Sequence, residues 1–377
     1  MGLQDGLRRS LHRVENKIRP KKFSEEIKLV KNSGYFDEIW YRKNNPDVIA
    51  VGVDPLWHYL EFGGFEGRTP GPKFDSAGYL DTYTDVRRSG VNPLVHYLKF
   101  GRQEERSPYG AQIEAELVED MLAIQEVYQQ RFGRMIDFRH PTKFNEKIQI
   151  YKLLYRNPIM TDFSDKVRAK ELAAAVIGGQ YIVPTLGVYE RFSDIPRDEL
   201  PDRFVMKTNH GSGFTLICQD KSSFDWVDAE AKMNAWLNYD FYARFREWAY
   251  KDITPKILIE ELLTTENGQI SEDCKIEIAQ GKIIAITLVL NKHMGSPSAF
   301  KVDTNWQRLD YNTTYPRYPF EVDRPVQMDL MESLAKQLAN GFPFVRVDLY
   351  PVQGKVYFGE MTFYPAAGLG NFNPPEW

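Results

Sequence analysis

The chain has 377 residues, a formal net charge of −4 and an aromatic content of 14%. This length allows two or three domains around a large core. A slightly acidic chain lacks the excess of positive charge that nucleic-acid binders carry, so the composition argues against that class of protein. The two cysteines, Cys218 and Cys274, lie far apart without metal-ligand spacing, which favours a reducing cytosol.

Residues 1–22 differ in composition from the rest of the chain. They carry seven basic and two acidic side chains, with apolar residues at helical spacing, and they predict a basic amphipathic helix. Two interpretations stay open: peripheral contact with an anionic membrane surface, or docking on the protein itself. Since no apolar run is long enough to cross a bilayer or to form a secretion signal, we expect a cytoplasmic protein.

Residues 36–108 contain an internal repeat with a period of 38 residues. The run 54–60, Asp-Pro-Leu-Trp-His-Tyr-Leu, returns at 92–98 as Asn-Pro-Leu-Val-His-Tyr-Leu. A fixed period predicts one unit used twice, here a helix, a glycine turn and a second helix that begins at Asx-Pro and ends at Phe-Gly. We expect His58 and His96 to be packed, hydrogen-bonded residues rather than ligands.

The repeat resembles a short module found with glycosyltransferases and other enzymes of bacterial surface-polysaccharide assembly. The resemblance implies docking onto such enzymes or association with a glycan. A glycosyltransferase would usually carry an Asp-x-Asp metal motif, and the spacing of Asp225 and Asp228 does not provide one.

We divide the chain into a basic helix and linker (1–34), two repeats (35–110) and a catalytic domain (111–377).

The rest of the chain predicts mixed secondary structure. Residues 111–160 read as mostly helical, with a periodic apolar stripe. Further helices are predicted at about 228–248 and 327–340. Several predicted strands share hairpins, which favours an α+β fold over a doubly wound one. The strands are expected at 181–189, 204–207, 214–218, 257–260, 275–278 and 283–290.

The segments 345–350 and 356–362 predict two strands joined by a short turn that contains Gly354. Acids are depleted inside strands, yet Asp348 and Glu360 lie within this pair. On one face, two carboxylates would form a Mg²⁺ site that also holds a phosphate chain. A two-residue loop would place them on opposite faces, so the site requires a three-residue loop or a bulge. The alternative is an exposed strand pair with solvated acids.

Three other segments carry features of a nucleotide site. The strand 204–207 delivers Lys207 to the glycine-rich loop 209–213, which could present backbone N–H groups to phosphate, although a tight hairpin would also explain it. Lys166 and Arg168 lie at a predicted helix start, capped by Asp162 or Ser164, where they face phosphate or solvent. The apolar strand 257–263 ends in two acids, and its backbone groups could form the edge that recognises adenine.

These segments follow one another in an order that several further motifs support. The motifs are Pro141-Thr142-Lys143-Phe144-Asn145-Glu146-Lys147-Ile148, Asp165-Lys166-Val167-Arg168, Leu200-Pro201 leading to 204–213, 260–263, Asp273-Cys274-Lys275, Asp303-Thr304-Asn305-Trp306, 346–350 and 360–365. Together they resemble the ATP-grasp superfamily, and more closely its TupA-like family, associated with teichuronopeptide biosynthesis. The resemblance covers residues 110–377.

The resemblance implies an ATP-grasp fold, in which two α+β subdomains clasp ATP, after an all-α repeat module. It implies ATP and Mg²⁺ as cofactors. The expected catalytic residues are Lys207, Arg346 and His210, and the expected metal ligands are Asp348 and Glu360. Thr362 stands where many relatives have an asparagine ligand. The expected nucleotide-binding residues are Lys166, Arg168, Lys207, Gly211, Ser212, Gly213, Glu260, Glu261, Leu262, Leu263, Asp273 and Lys275.

The activity implied is that of an ATP-dependent carboxylate–amine ligase, which forms an amide through an acyl phosphate. The family resemblance suggests a uronic-acid carboxylate on a surface polysaccharide, such as a capsule, or on its precursor, and an amino acid as the amine. One alternative is a sugar kinase or phosphotransferase, which would need a general base such as Asp303 or His210. Another is a non-catalytic glycan-binding scaffold built on the repeats.

Overall fold

The computed structural model describes residues 24–50, 52–138, 140–311 and 315–372. The basic helix predicted for residues 1–22 lies outside these ranges. The described residues fall into two compact units, one within Met1–Leu122 together with Leu154–Asn157 and one within Ala123–Leu153 together with Pro158–Trp377. The division falls inside helix α8 (Gly110–Phe132), and the boundary at 110/111 stays a prediction. In the described part of the chain, no helix combines the length and apolarity needed to cross a membrane.

The N-terminal unit is helical, and the elements of its two repeat copies correspond one to one. In each copy the first helix is broken once, and the second continues into a π-helical turn. The helices are α1 (Ser24–Ser33), α2 (Glu38–Asn44), α3 (Pro46–Ala50), α4 (Pro55–His58), α5 (Ser76–Thr82), α6 (Thr84–Ser89) and α7 (Pro93–His96), with π-helical turns at Tyr59–Gly63 and Tyr97–Gly101.

The repeat histidines are hydrogen-bonded, as the sequence predicts. His58 Nδ1 lies 3.0 Å from the hydroxyl of Tyr41, and His96 Nδ1 lies 3.1 Å from that of Tyr79. Both tyrosines are fully buried in the aromatic core of this unit. The same donor–acceptor pair therefore fastens the second helix to the first in each copy.

In the described part of the chain, the second unit combines the end of α8 and further helices with two antiparallel sheets. The helices are α9 (Phe144–Leu154), α10 (Pro158–Ser164), α11 (Lys166–Ile177), α12 (Trp226–Leu237), α13 (Phe241–Phe245) and α14 (Met328–Leu338). The strands are β1 (Thr185–Tyr189), β2 (Phe204–Thr208), β3 (Thr215–Cys218), β4 (Ile257–Glu261), β5 (Asp273–Ala279), β6 (Lys282–Leu290), β7 (Ser298–Val302), β8 (Phe344–Val352) and β9 (Lys355–Thr362). The four-stranded sheet has the order β1-β4-β2-β3 and the five-stranded sheet the order β7-β6-β5-β8-β9. This arrangement confirms the predicted α+β class.

One expectation about elements was wrong, and one strand was not predicted. The single helix predicted at 228–248 is two helices, because the chain breaks after Leu237 and Asp240 caps the second helix by accepting from Ala243 N. Strand β7 was not predicted. It forms the edge of the five-stranded sheet and pairs with β6 over Ser298–Val302.

Alternation along the strands gives each sheet a core face and a polar face. In β2, Phe204 and Met206 pack against Met233 of α12 in one buried cluster. Val205 and Lys207 therefore point to the other face. In the five-stranded sheet, Lys275, Asp348 and Glu360 are direct register partners on β5, β8 and β9. The residues with site chemistry thus occupy the faces that the two sheets do not use for their cores.

Candidate active site

A cleft of about 790 Å³, open to solvent, is lined by residues from both sheets of the second unit. The four-stranded sheet and its loops contribute Lys207 and the 260–263 segment, and the five-stranded sheet contributes Glu360. The full lining is Lys166, Val183, Val205, Lys207, Thr215, Ile217, Glu260, Glu261, Leu262, Leu263, Ile270, Ser271, Lys292, Tyr350, Phe358, Gly359 and Glu360. The cleft therefore joins apolar side chains with cations and carboxylates, a combination typical of small-molecule and cofactor sites.

A bulge brings the two predicted metal ligands side by side. The hairpin has the two-residue loop Gln353-Gly354, which alone would put the acids on opposite faces. The register shifts beyond Leu349, so that Asp348 pairs with Glu360 and Gly359 is the extra residue. A Cβ at Gly359 would lie 2.8 Å from the Tyr350 ring and 3.0 Å from the Asp348 carbonyl oxygen, so the bulge requires glycine.

The Asp348 carboxylate is buried between two cations. Arg346 donates to it from Nε at 2.6 Å and from Nη2 at 2.8 Å, and Lys275 Nζ donates to Oδ2. Burial favours the neutral acid, but the charges of Arg346 and Lys275 outweigh it and hold the pKa of Asp348 below its ordinary value. Burial lowers the pKa of Lys275, but the negative charges of Asp348, Asp273 and Glu360 together outweigh burial, so the pKa of Lys275 is raised. Asp348 is therefore ionised at neutral pH.

Glu360 is more open than its neighbour. Its side chain is 34% exposed and lies 3.4 Å from Arg346 Nη2. The hydroxyl of Thr362 donates to Glu360 at 3.1 Å and accepts from Arg346 at 3.0 Å. Thr362 thus belongs to the polar cluster around Glu360 and Arg346.

The donor set fits Mg²⁺. Among the described residues, no group of three or more His, Cys, Asp and Glu side chains could hold a metal ion. Mg²⁺ is commonly held by one or two carboxylates together with substrate phosphates, however, and it prefers oxygen ligands. Asp348 and Glu360 supply two such carboxylates on one face, and Glu360 lines the cleft.

Lys207 enters the cleft paired with Glu260. The Glu260 carboxylate accepts from Lys207 through one oxygen and from Lys170 Nζ through the other, at 2.5 Å. Burial raises the pKa of Glu260, but Lys207 and Lys170 outweigh burial and lower it. One carboxylate thus holds two ammonium groups, so these three side chains together carry one net positive charge at the wall of the cleft.

The glycine-rich loop is fastened at its base. Lys166 Nζ donates to Gly211 O at 2.7 Å, and its backbone N–H donates to Asn209 O at 2.9 Å. Ser212 and Gly213 are exposed at the loop tip. Burial lowers the pKa of Lys166. The loop therefore has a fixed base and an exposed tip, and its closure over phosphates stays a prediction.

His210 belongs to this loop, but its side chain is buried and does not line the cleft. Its side chain is buried, with Nε2 3.2 Å from Tyr239 O and the ring 6.1 Å from that of Phe214. Burial lowers the pKa of His210 and keeps the ring neutral. Its catalytic role stays a prediction, and the burial of its ring outside the cleft lining does not support that role.

Other predicted residues lie around the cleft rather than in its lining. Arg168 is mostly exposed and pairs with Asp162 at 2.8 Å. Asp273 pairs with Lys292 at 2.7 Å and lies 3.5 Å from Lys275, next to the metal pair. The predicted cap was wrong: Asp165 begins α11 by accepting from Val167 N and Arg168 N, so Asp162 is left to pair with Arg168.

Several site residues were not predicted. Lys170 lies one helical turn beyond Lys166, and this i, i+4 spacing was the available signal. Tyr350 is two residues from Asp348 in β8 and shares its face, which was also readable from strand alternation. Lys292 lies beyond β6 in a short turn, and nothing in the sequence indicates that it lines the cleft.

The two sheets and the cleft between them define a protein of the ATP-grasp class. A sequence model of the TupA-like ATPgrasp family matches residues 146–377, and the chain belongs to that family. The predicted family and fold class are confirmed. No curated protein matches the chain significantly.

Solved structures with similar folds include three ligases. One is a D-alanine–D-alanine ligase from Bacillus anthracis complexed with ATP, at 13% identity and TM-score 0.33, covering 54% of either chain. The second is an L-amino acid ligase from Bacillus licheniformis, at 14% identity and TM-score 0.37, covering 67% of this chain and 58% of that one. The third is the ATP-grasp ligase PsnB with a phosphomimetic precursor variant, Mg and ADP, at 12% identity and TM-score 0.33, covering 58% of either chain. The chain thus spans little more than half the length of each.

Proposed function

We propose that this chain is an ATP-dependent carboxylate–amine ligase that forms an amide. The observation that carries the proposal is the cleft that brings Lys166, Lys207 and the 260–263 segment to Glu360, with Asp348 beside it. The family membership and the ligase activity named for the three similar structures support it. As the substrate pair we propose a uronic acid of a surface polysaccharide or its precursor and an amino acid.

The reaction would proceed in two displacement steps. A substrate carboxylate oxygen attacks the γ-phosphorus of ATP, the bond to the β–γ bridging oxygen breaks, and an acyl phosphate and ADP form. The amine then attacks the acyl carbon, inorganic phosphate leaves, and the nitrogen loses a proton. Positioning and charge neutralisation account for most of the catalysis of phosphoryl transfer.

The residues of the cleft have separate tasks in this proposal. Lys166 and Lys207 bind the phosphate chain, and the 260–263 segment binds adenine along its backbone edge. Arg346, adjacent to both carboxylates, stabilises negative charge on the transferring group. Asp348 and Glu360 would hold Mg²⁺, which when bound neutralises charge on the phosphates. The exposed tip of the loop excludes water from the acyl phosphate.

A carboxylate acceptor fits the site better than a sugar hydroxyl. A hydroxyl needs a general base, whereas a carboxylate attacks as the ionised group. The side chain of His210 is buried, and the Asp303 carboxylate accepts from the N–H groups of Asn305 and Gln307 at 2.9 Å. Neither proposed base of the kinase alternative lines the cleft, which favours the ligase.

Product analysis tests the proposal. The protein is incubated with ATP, Mg²⁺ and a panel of uronic acids and amino acids, and the products are separated by mass. We expect an amide together with ADP and phosphate, absent without the amine. A phosphorylated sugar with ADP would contradict the ligase and establish the kinase. A well-folded protein that turns over no member of the panel and binds no ATP would favour the glycan-binding scaffold.

A further inference from the structure

A strained turn follows directly after the strand that carries Glu360. Strand β9 ends at Thr362, and the turn Pro365–Gly368 begins three residues later. Ala366 has φ 49° and Ala367 has φ 55°, both in the left-handed region. L-residues other than glycine rarely adopt this conformation, and it persists only where the surroundings hold it. The turn therefore needs an external restraint.

Helix α9 provides this restraint through one polar face. Gln149 Nε2 donates to the carbonyl oxygens of residues 367 and 368 at 3.0 and 2.8 Å. Lys152 Nζ donates to the first of these at 2.6 Å, and Asn145 Nδ2 donates to the carbonyl oxygen of residue 370 at 2.7 Å. The spacing of these three side chains along the helix puts them on one face. Three hydrogen bonds thus hold carbonyl oxygens of the left-handed turn, and a fourth holds the carbonyl oxygen of Gly370 just beyond it.

The three side chains are buried polar groups with no other task in the proposed function. Asn145, Gln149 and Lys152 are 8%, 1% and 2% exposed. Burying such groups is unfavourable unless they are hydrogen-bonded, and an apolar face would pack at lower cost. Asn145 belongs to the 141–148 motif, and the adjacent Glu146 accepts from Thr142 N and Lys143 N at the start of the helix. The motif thus begins the helix and directs its polar face to the turn.

A buried two-residue segment connects the turn to the strand that carries Glu360. Phe363 and Tyr364, the two residues between β9 and the turn, are both 2% exposed. Phe363 packs against Phe342 at 4.9 Å between ring centroids, and Tyr364 packs against Tyr151 of α9 at 5.7 Å. A displacement of the turn would therefore pass along this buried segment to Thr362 and Glu360.

We propose that the Asn145–Gln149–Lys152 face of α9 is a positioning device for the metal site. It fixes the left-handed turn, and through the turn it holds the end of β9 with Glu360 opposite Asp348. These residues touch neither nucleotide nor metal; they act through the backbone of 365–370. The consequence for Mg²⁺ rests on the proposed function, whereas the consequence for the backbone does not.

The test replaces the donors without changing the size of the side chain. Gln149→Met has a similar length and no amide donor. The matched control is Gln130→Met, since Gln130 is an exposed glutamine of α8 that donates to Glu126 at 3.1 Å. Gly368→Ala perturbs the contact between Gln149 and the turn by a change in the turn itself. Its Cβ would lie 2.5 Å from Gln149 Nε2, and its φ is +63°. If Gln149→Met does not fold, Asn145→Leu removes a single hydrogen bond at the edge of the face.

Two measurements decide the outcome: hydrogen exchange over residues 360–370, and AMP-PNP affinity with Mg²⁺ and with EDTA. For Gln149→Met we expect faster exchange from the turn back to Glu360. The affinity in EDTA should be unchanged, and the gain in affinity from Mg²⁺ should fall about tenfold, as for other residues that orient metal ligands. Gly368→Ala should behave alike, and Gln130→Met should match the natural chain.

A merely structural role predicts a different result. Gln149→Met would then melt at a lower temperature while exchange at 360–362 and the Mg²⁺ effect stay as in the natural chain, and this would overturn the inference. If the natural chain binds no AMP-PNP, the proposed function fails, and exchange alone decides about the positioning device. Faster exchange that reaches Glu360 supports the device, and faster exchange confined to 365–370 refutes it.

Discussion

Asp348→Asn and Glu360→Gln remove one charge each from the same pair, yet the structure predicts unequal effects on stability. Asp348 is 2% exposed and accepts from Arg346 twice and from Lys275 once. Breaking a buried pair leaves uncompensated charge and costs about 3–5 kcal/mol. Because asparagine keeps one acceptor, we expect the lower end, about 3 kcal/mol. Glu360 is a third exposed, with one contact to Arg346 at 3.4 Å, so we expect Glu360→Gln to cost less than about 1 kcal/mol.

The assay is urea denaturation of the natural chain and both variants, followed by AMP-PNP titration with Mg²⁺. Both variants should lose the Mg²⁺-dependent part of nucleotide binding, because each removes one of the two carboxylates that would hold the ion. Only Asp348→Asn should shift the unfolding midpoint strongly. Equal stability of the two variants would refute the account of Asp348 as a buried carboxylate compensated by two cations.

Three further predictions concern the bulge, the loop and the repeats. Gly359→Ala should abolish the Mg²⁺ effect on AMP-PNP affinity, because its Cβ would contact Tyr350 and displace the bulge. Gly354→Asn, in the loop of the same hairpin, should leave the Mg²⁺ effect unchanged. Burial lowers the pKa of His210 in the folded chain, so the unfolded chain binds a proton at this residue more readily. The stability of the fold should therefore fall as the pH drops below about 6.5. In melting curves, His210→Gln should show a smaller loss of stability over this pH range than the natural chain. Tyr41→Phe and Tyr79→Phe should each cost about 1 kcal/mol in chemical denaturation, and clearly unequal losses would contradict the equivalence of the two repeats.

The sequence predicts the site as far as local patterns extend. Strand alternation and the depletion of acids in strands identify Asp348 and Glu360 and reveal that they need a bulge or an odd loop. The location of the bulge depends on a tertiary contact, the approach of Tyr350 to Gly359, although a glycine directly before the acid is a readable signal. Lys207 and Lys166 are predictable because each lies at the end or start of a regular element.

Other parts of the site depend on contacts between segments distant in sequence. Glu260 reads as the end of an apolar strand, and its two lysines come from α11 and β2 only in the fold. The left-handed turn at Ala366 and Ala367 has no local signature, since alanine favours right-handed helix. The polar face of α9 is visible in sequence, but its partner lies about 220 residues further along the chain. Contacts between residues so far apart in sequence cannot be predicted from local patterns.

The central claim is that the cleft binds ATP with Mg²⁺ through Lys207 and the Asp348–Glu360 pair. Calorimetric titration of the full chain with AMP-PNP, with and without Mg²⁺, beside Lys207→Ala tests it most directly. In Lys207→Ala, Glu260 keeps Lys170 as its partner, so the variant should fold. We predict binding that Mg²⁺ strengthens and Lys207→Ala weakens. The absence of binding in the well-folded natural chain would contradict the claim.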